Sequence, residues 1–233
     1  MKFWMICSQS IWISLVAVLV AVGSMGCDGG DDDPSVAPPE AQVNEQEDGE
    51  EADLSNPEDP NFPDGLHPSG SATRTIAKVF ARQISPLADA GGNQTNVVVC
   101  IGDSITARGY PPYLADATGM IVVNAGKGGE GSGGTAGRAP GVLAEYRPAY
   151  LCILTGINDV SGGDAPIETI VANIESIVNA AKANNTIPVV GTLTPLSGSR
   201  KEWADDGRAC SQAIRAMAAR TGARLADVAA AFD

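Results

Sequence analysis

The sequence predicts an α/β fold, a three-layer, doubly wound sandwich built on a parallel sheet of five strands. Two observations lead there. Four short runs, "NVVVCIG" (96–102), "MIVVNAG" (120–126), "AYLCILTG" (149–156) and "TIPVVGTL" (186–193), are almost continuously apolar. A strand covered by helices on both faces has that character, whereas a half-solvated strand alternates. Between the runs lie stretches of helical periodicity, and strands alternating with helices imply parallel pairing through crossover connections.

In chain order, the first element is an amphipathic helix marked by Ile76, Val79, Phe80 and Ile84, with Ser69 or Ser71 available to cap it. "SPLADAGGNQT" then leads into strand 1, and "GDSIT" follows that strand. Strand 2 ends in "NAGKGGEGSGG", which reads as a flexible glycine loop, and strand 3 runs into "GIND". A helix carries Ile167, Ile170, Val171, Ile174, Ile177, Val178 and Ala181 at core spacing. After strand 4, the stripe Ala213, Ile214, Met217 and Ala218 precedes a weaker fifth strand, "ARLADV" (223–228). In such a fold ligands bind at the carboxyl ends of the strands, so the chemistry is expected in the loops after strands 1, 2 and 3.

Ahead of this domain the chain changes character. Lys2, an apolar run from Ile11 to Val22 and the small-residue ending "GSMGC" describe a secretion signal over 1–26, the apolar run being short for a membrane span. "SMGC" resembles a bacterial lipobox, which makes Cys27 the expected lipidated first residue of the mature protein. Ser24 stands where such boxes usually carry an aliphatic residue, and an ordinary cleaved signal is the alternative. Residues 28–60 hold thirteen acidic residues and no basic one, a composition unable to bury a core, so 27–60 is expected to be a lipidated, disordered tether. Of the formal net charge of −13, nearly all belongs to that tether. The remainder, 61–233, is nearly neutral and one domain in size, and nothing basic invites nucleic acid. Cys7 leaves with the signal, while Cys100, Cys152 and Cys210 sit in apolar patterns and read as buried free thiols. No CxxC or His-rich cluster suggests a metal, and no cofactor is expected.

Each loop alone is weak evidence. Gly-Asp-Ser is common turn chemistry, and an Asn in a crevice loop is usually a turn former. Lys127 lacks both the following Ser or Thr and the glycine spacing of a P-loop, and strand 2 lacks the acidic end of a dinucleotide site. Those failures disfavour a nucleotide-binding, flavodoxin-like module.

Taken together, "GDSIT", "NAGKGG" and "GIND" resemble, in that order, the blocks of the SGNH (GDSL) hydrolase family, whose fold is flavodoxin-like, and the likeness spans 61–233. The resemblance implies that Ser104 is the nucleophile and that its own N–H, the Gly129 N–H and the Asn158 side-chain amide form an oxyanion hole. Gly129 follows Asn124 by five residues, and Gly126 and Gly128 are alternative donors. The family's fourth block, Asp-x-x-His, normally follows the fifth strand. Here the fifth strand is followed by "AAAFD", and the matching pattern, "FPDGLHPSGSATRTIAKVFARQI" (62–84), stands in front. A circular permutation accounts for this, with Asp64 and His67, the only histidine, brought to Ser104 by the fold. By itself such a histidine reads as an ordinary loop residue; its company of Asp64, Pro68 and a following helix points to a base. Pro68 holds His67 toward extended backbone.

The function implied is a serine esterase acting through an acyl-enzyme on small esters, acetylated carbohydrates or lysophospholipids. It would be held outside the cytoplasm by a lipid anchor in a bacterial membrane. The alternative from another class is a non-catalytic ligand-binding lipoprotein that retains the fold.

Overall fold

The computed structural model describes residues 59–163 and 165–233. The signal-like segment, Cys27 and the acidic stretch as far as residue 58 lie outside the described residues.

Five strands, β1 (Gln94–Gly102), β2 (Ile121–Gly126), β3 (Pro148–Leu154), β4 (Ile187–Gly191) and β5 (Arg224–Ala226), form one sheet in the order β2-β1-β3-β4-β5. Every neighbouring pair is parallel. The reversal of strand order on either side of β1 puts the switch point between β1 and β3, where such sheets open a crevice. Among the described residues seven α-helices accompany them: α1 (Gly70–Ala81), α2 (Ser104–Ala107), α3 (Pro111–Thr118), α4 (Ser132–Tyr146), α5 (Ile157–Gly162), α6 (Ile167–Ala183) and α7 (Ala204–Thr221). α1 packs with α3, and α4 packs with α6 and α6 with α7, which gives the two outer layers.

The central strands are apolar for the expected reason: all seven residues of β3 are buried, as are Val97 to Gly102 of β1. On the other side of the account, β2 corrects the expectation of a fully buried strand. It lies at the sheet's edge, its residues are half-buried or exposed, and Ile121 is 49% exposed. An edge strand has no neighbour on one side to carry covering helices over it, however apolar its sequence.

Helix α1 starts where a cap was available. Ser69 Oγ accepts the Ala72 N–H, and Ile76, Val79 and Phe80 are buried. It ends at Ala81, so Ile84 falls in the tight turns beyond. Helix α4 is the element the sequence concealed. It contains four glycines and Pro140, yet Ser132, Thr135, Ala139 and Leu143 form a buried stripe at helical spacing. Packing against α6 overrides the poor propensity. Cys100, Cys152 and Cys210 are buried free thiols; burial, with Asp159 adding to it, pushes Cys210 up to about 12, and such a thiol is unreactive.

The two ends of the described chain meet. The Phe62 ring stands edge-on to Phe232, centroids 5.1 Å apart, and Phe62 is buried. That contact holds the segment before α1 beside the segment after β5.

Candidate active site

The sharp turn from β1 into α2 presents Ser104. Asp103 precedes it as N-cap, its Oδ1 accepting the Ile105 N–H at 2.9 Å. Ser104 is 5% exposed. Asp103 is buried and its Oδ2 has no partner among the described residues. Burial, reinforced by the charges of Asp159 and Glu130, pushes its carboxyl up to about 7.

The histidine arrives from the front of the domain. Residues 61–69 form a compact loop held by Gly65 N–H to Phe62 O (2.8 Å) and Ser69 N–H to Asn61 O (2.7 Å). The loop is pinned across to the segment after β4: Ser197 N–H donates to Gly65 O at 3.1 Å and Ser199 Oγ to Asp64 O at 3.0 Å. Gly65 is needed there. Its φ is 81°, and a Cβ would come within 2.2 Å of Ser197 O.

Within this loop Asp64 makes two kinds of bond. Its Oδ1 accepts the backbone N–H groups of Leu66 (2.9 Å) and His67 (2.6 Å), and its Oδ2 lies 2.6 Å from His67 Nδ1. Partial burial would raise the Asp64 pKa, but the bonds from the His67 ring and from both backbone groups outweigh it and hold the carboxyl below its ordinary value. An ionised carboxylate only accepts, so Nδ1 carries the ring proton. In the neutral ring Nε2 is then an acceptor, and it sits 2.9 Å from Ser104 Oγ. The hydroxyl therefore donates to the imidazole, the arrangement in which a base can take the serine proton. The His67 side chain is 37% exposed while Ser104 is nearly buried, so the pair meets solvent on the imidazole side.

The second loop is tied to the end of β1 by Lys127 N–H to Gly102 O (2.9 Å), and the third loop is tied to the second. Asn124 ties the end of β2 to α2, its Nδ2 donating to Ala107 O (2.9 Å) and its Oδ1 accepting the Gly126 N–H (3.0 Å). Gly126 therefore has no N–H to offer an oxyanion. Gly128 and Gly129 have no partner for theirs among the described residues. Asn158, on the first turn of α5, directs one Nδ2–H to Glu130 O at 3.0 Å and keeps a second. Asp159 accepts both the N–H (2.7 Å) and the hydroxyl (2.9 Å) of Ser132, fixing the start of α4.

Three residues of this assembly were not singled out from the sequence: Glu130, Thr135 and Arg138. Arg138 Nε donates to Glu130 Oε2 at 2.7 Å and Thr135 Oγ1 to the same oxygen at 3.0 Å.

A cavity of about 390 Å³ adjoins α5, lined by Asp159, Val160, Ala165, Ile167, Trp203 and Asp206 among others. It shares α5 with Asn158, yet neither Ser104 nor His67 lines it. Among the described residues no group of His, Cys, Asp and Glu could hold a metal ion, and no helix is long and apolar enough to cross a membrane.

Comparison with known proteins gives a consistent picture. The family model for the GDSL-like lipase/acylhydrolase family matches residues 100–233, more than half the chain. The matched span includes Ser104, Gly129 and Asn158 and begins after Asp64 and His67. Among solved structures, the chain is similar to a protein of the G-D-S-L family from Desulfitobacterium hafniense DCB-2, with 23% identity and a TM-score of 0.50 over 57% of this chain and 77% of that one. It is also similar to the lipase/acylhydrolase from Enterococcus faecalis, with 18% identity and a TM-score of 0.51 over 58% of this chain and 77% of that one. At these identities the likeness speaks for the fold. No curated protein matches the chain. The chain belongs to the GDSL-like lipase/acylhydrolase family, the SGNH hydrolases, and is an enzyme of ester hydrolysis.

Proposed function

We propose that the protein is a serine esterase whose nucleophile is Ser104, with His67 as general base and Asp64 as the carboxylate that sets the ring's tautomer. One observation carries the reading: Nδ1 of His67 lies 2.6 Å from Asp64 and Nε2 lies 2.9 Å from Ser104 Oγ, across thirty-seven residues of sequence. As Oγ attacks the ester carbonyl carbon, its proton passes to Nε2. The carbonyl oxygen becomes an oxyanion that the Ser104 N–H, the Gly129 N–H and the free Nδ2–H of Asn158 stabilise. Collapse breaks the bond to the alcohol, which leaves with the proton from His67. A water, deprotonated by the same ring, then releases the acid and restores Ser104.

The order of the elements is part of the proposal. The Asp-x-x-His block and its helix stand ahead of β1, so the domain is a circular permutation of the family's arrangement. The edge-on pair of Phe62 and Phe232 supports this, since it brings together the two segments that a permutation would have joined. Domain termini that lie close together are what make permutation tolerable.

The sequence before the domain supports a lipid anchor at Cys27, a tether to residue 60 and a site of action outside the cytoplasm, at a bacterial membrane. The substrates proposed are acyl or acetyl esters: small esters, acetylated carbohydrates or lysophospholipids. A panel of such esters, with Ser104→Ala as control, tests the reading. Hydrolysis of at least one class, abolished in the variant, supports it; turnover that survives in Ser104→Ala overturns it, and binding without turnover would instead mark a non-catalytic lipoprotein.

A further inference from the structure

Oxyanion donors act only if they are held within a fraction of an ångström of where the charge develops. Here the donors come from three loops that share no covalent framework beyond the sheet. We propose that Arg138 is the positioning residue that joins them, an inference that rests on the esterase reading above.

Arg138 Nε donates to Glu130 Oε2 at 2.7 Å, and Nη2 donates to Gly102 O at 3.0 Å. Gly102 lies two residues before Ser104, at the end of β1, and Glu130 directly follows Gly129. The Glu130 carbonyl in turn accepts the Asn158 amide at 3.0 Å. One side chain on α4 thereby bridges the nucleophile's strand to the glycine loop, and the glycine loop to Asn158. Thr135 reinforces the middle of this chain through Glu130 Oε2 and, at 3.0 Å, through Thr155 at the end of β3.

The environment makes the bridge stiff. The Glu130 side chain is 8% exposed and that of Arg138 25%, so the pair is largely out of water, and the carboxylate's other cation, Lys127 Nζ at 3.6 Å from Oε1, is exposed and bonds only as a point charge. The backbone is fitted to it. A Cβ on Gly134 would come within 2.8 Å of Glu130 Cγ, so glycine at that position lets the carboxylate fold back over the first turn of α4. The planar fork also explains why arginine is used. It reaches a carboxylate and a carbonyl at once in a fixed geometry, which a lysine point charge cannot do.

Arg138 touches neither hydroxyl nor imidazole, so its removal leaves the dyad and ground-state binding alone. The loss falls on the transition state, where the oxyanion forms, and therefore on kcat rather than KM. The experiment uses the full-length protein and the variants Arg138→Ala, Arg138→Lys and Glu130→Gln. Each is assayed on a soluble short-chain ester, with competent sites counted by fluorophosphonate titration carried to completion and folding followed by thermal unfolding. Per titrated site, kcat is expected to fall about 10- to 100-fold in Arg138→Ala with KM within about threefold of wild type, and less in Arg138→Lys. Free guanidinium ion should recover part of the Arg138→Ala loss. An unchanged kcat per titrated site, whatever the melting temperature does, would mean a merely structural ion pair and would overturn the proposal. So would a rise in KM that accounts for the whole effect. If Arg138→Ala does not fold, Arg138→Lys and Glu130→Gln carry the same test. A wild-type protein that fluorophosphonate does not label would overturn the esterase reading itself, a result separable from the failure of Arg138 alone.

Discussion

Replacing Asp64 by Asn keeps the shape of the side chain but exchanges an anionic oxygen for a neutral amide NH2. The Asn Oδ1 can still accept the Leu66 and His67 N–H groups, now at 2.9 and 2.6 Å, so the loop keeps its shape. In place of Oδ2, 2.6 Å from Nδ1, stands an amide that donates. To meet it, Nδ1 must become the acceptor and Nε2 must carry the ring proton. The ring then presents an N–H to Ser104 Oγ at 2.9 Å and cannot take the serine's proton. In serine proteases, where the carboxylate is buried, this exchange costs about 10⁴ in kcat. Asp64 is 54% exposed, and water can partly replace it, so the loss is set lower, about 10²- to 10³-fold, or roughly 3–4 kcal/mol of transition-state stabilisation. Steady-state hydrolysis of a chromogenic acetate ester, corrected for the folded fraction, reads it. A variant at wild-type rate would refute the tautomer argument, because the wrong proton would then be harmless.

Other outcomes follow from the same geometry. Asn158→Ala removes an oxyanion donor together with the bond to Glu130 O, and kcat should drop about 10²- to 10³-fold with KM little changed; steady-state kinetics showing a KM effect alone would remove Asn158 from the hole. An imidazole that is already protonated cannot act as base, so kcat/KM should decline on acidification, and a profile that stays flat into acid would exclude His67. Asp103 gives a stability test. Its carboxyl stands at about 7 in the folded protein against 3.8 ordinarily, so between those values the folded state keeps a proton the unfolded chain has lost. Stability should therefore fall as pH rises from about 4 to 7, by up to about 4 kcal/mol from this group. Urea unfolding at pH 5 and pH 8 measures the slope, which Asp103→Asn should flatten; an equal slope in the variant would assign it elsewhere.

The sheet was legible because buried parallel strands leave continuous apolar runs, and β1, β3 and β4 formed where those runs lie. Burial of β2 was misread because the run is the same whether a strand is central or at the edge; sheet order, a long-range property, decides. α4 stayed hidden behind Gly133, Gly134, Gly137, Gly141 and Pro140, poor helix formers of which only Gly134 is required by a neighbour, the Glu130 side chain. Ser104 and Asn158 could be named from block order by resemblance. The meeting of His67 with Ser104 was named in the same way, from the displaced Asp-x-x-His block, and the helix that follows that block packs beside α3. Arg138 and Glu130 were invisible because their importance lies in what they span, and no local pattern records that.

The most direct measurement is covalent. A fluorophosphonate should leave its adduct on Ser104, located by peptide mass spectrometry, at a rate that falls by several powers of ten in His67→Ala while the fold is retained. Labelling of Ser104 at an unchanged rate without the imidazole, or an adduct on another residue, would contradict the account.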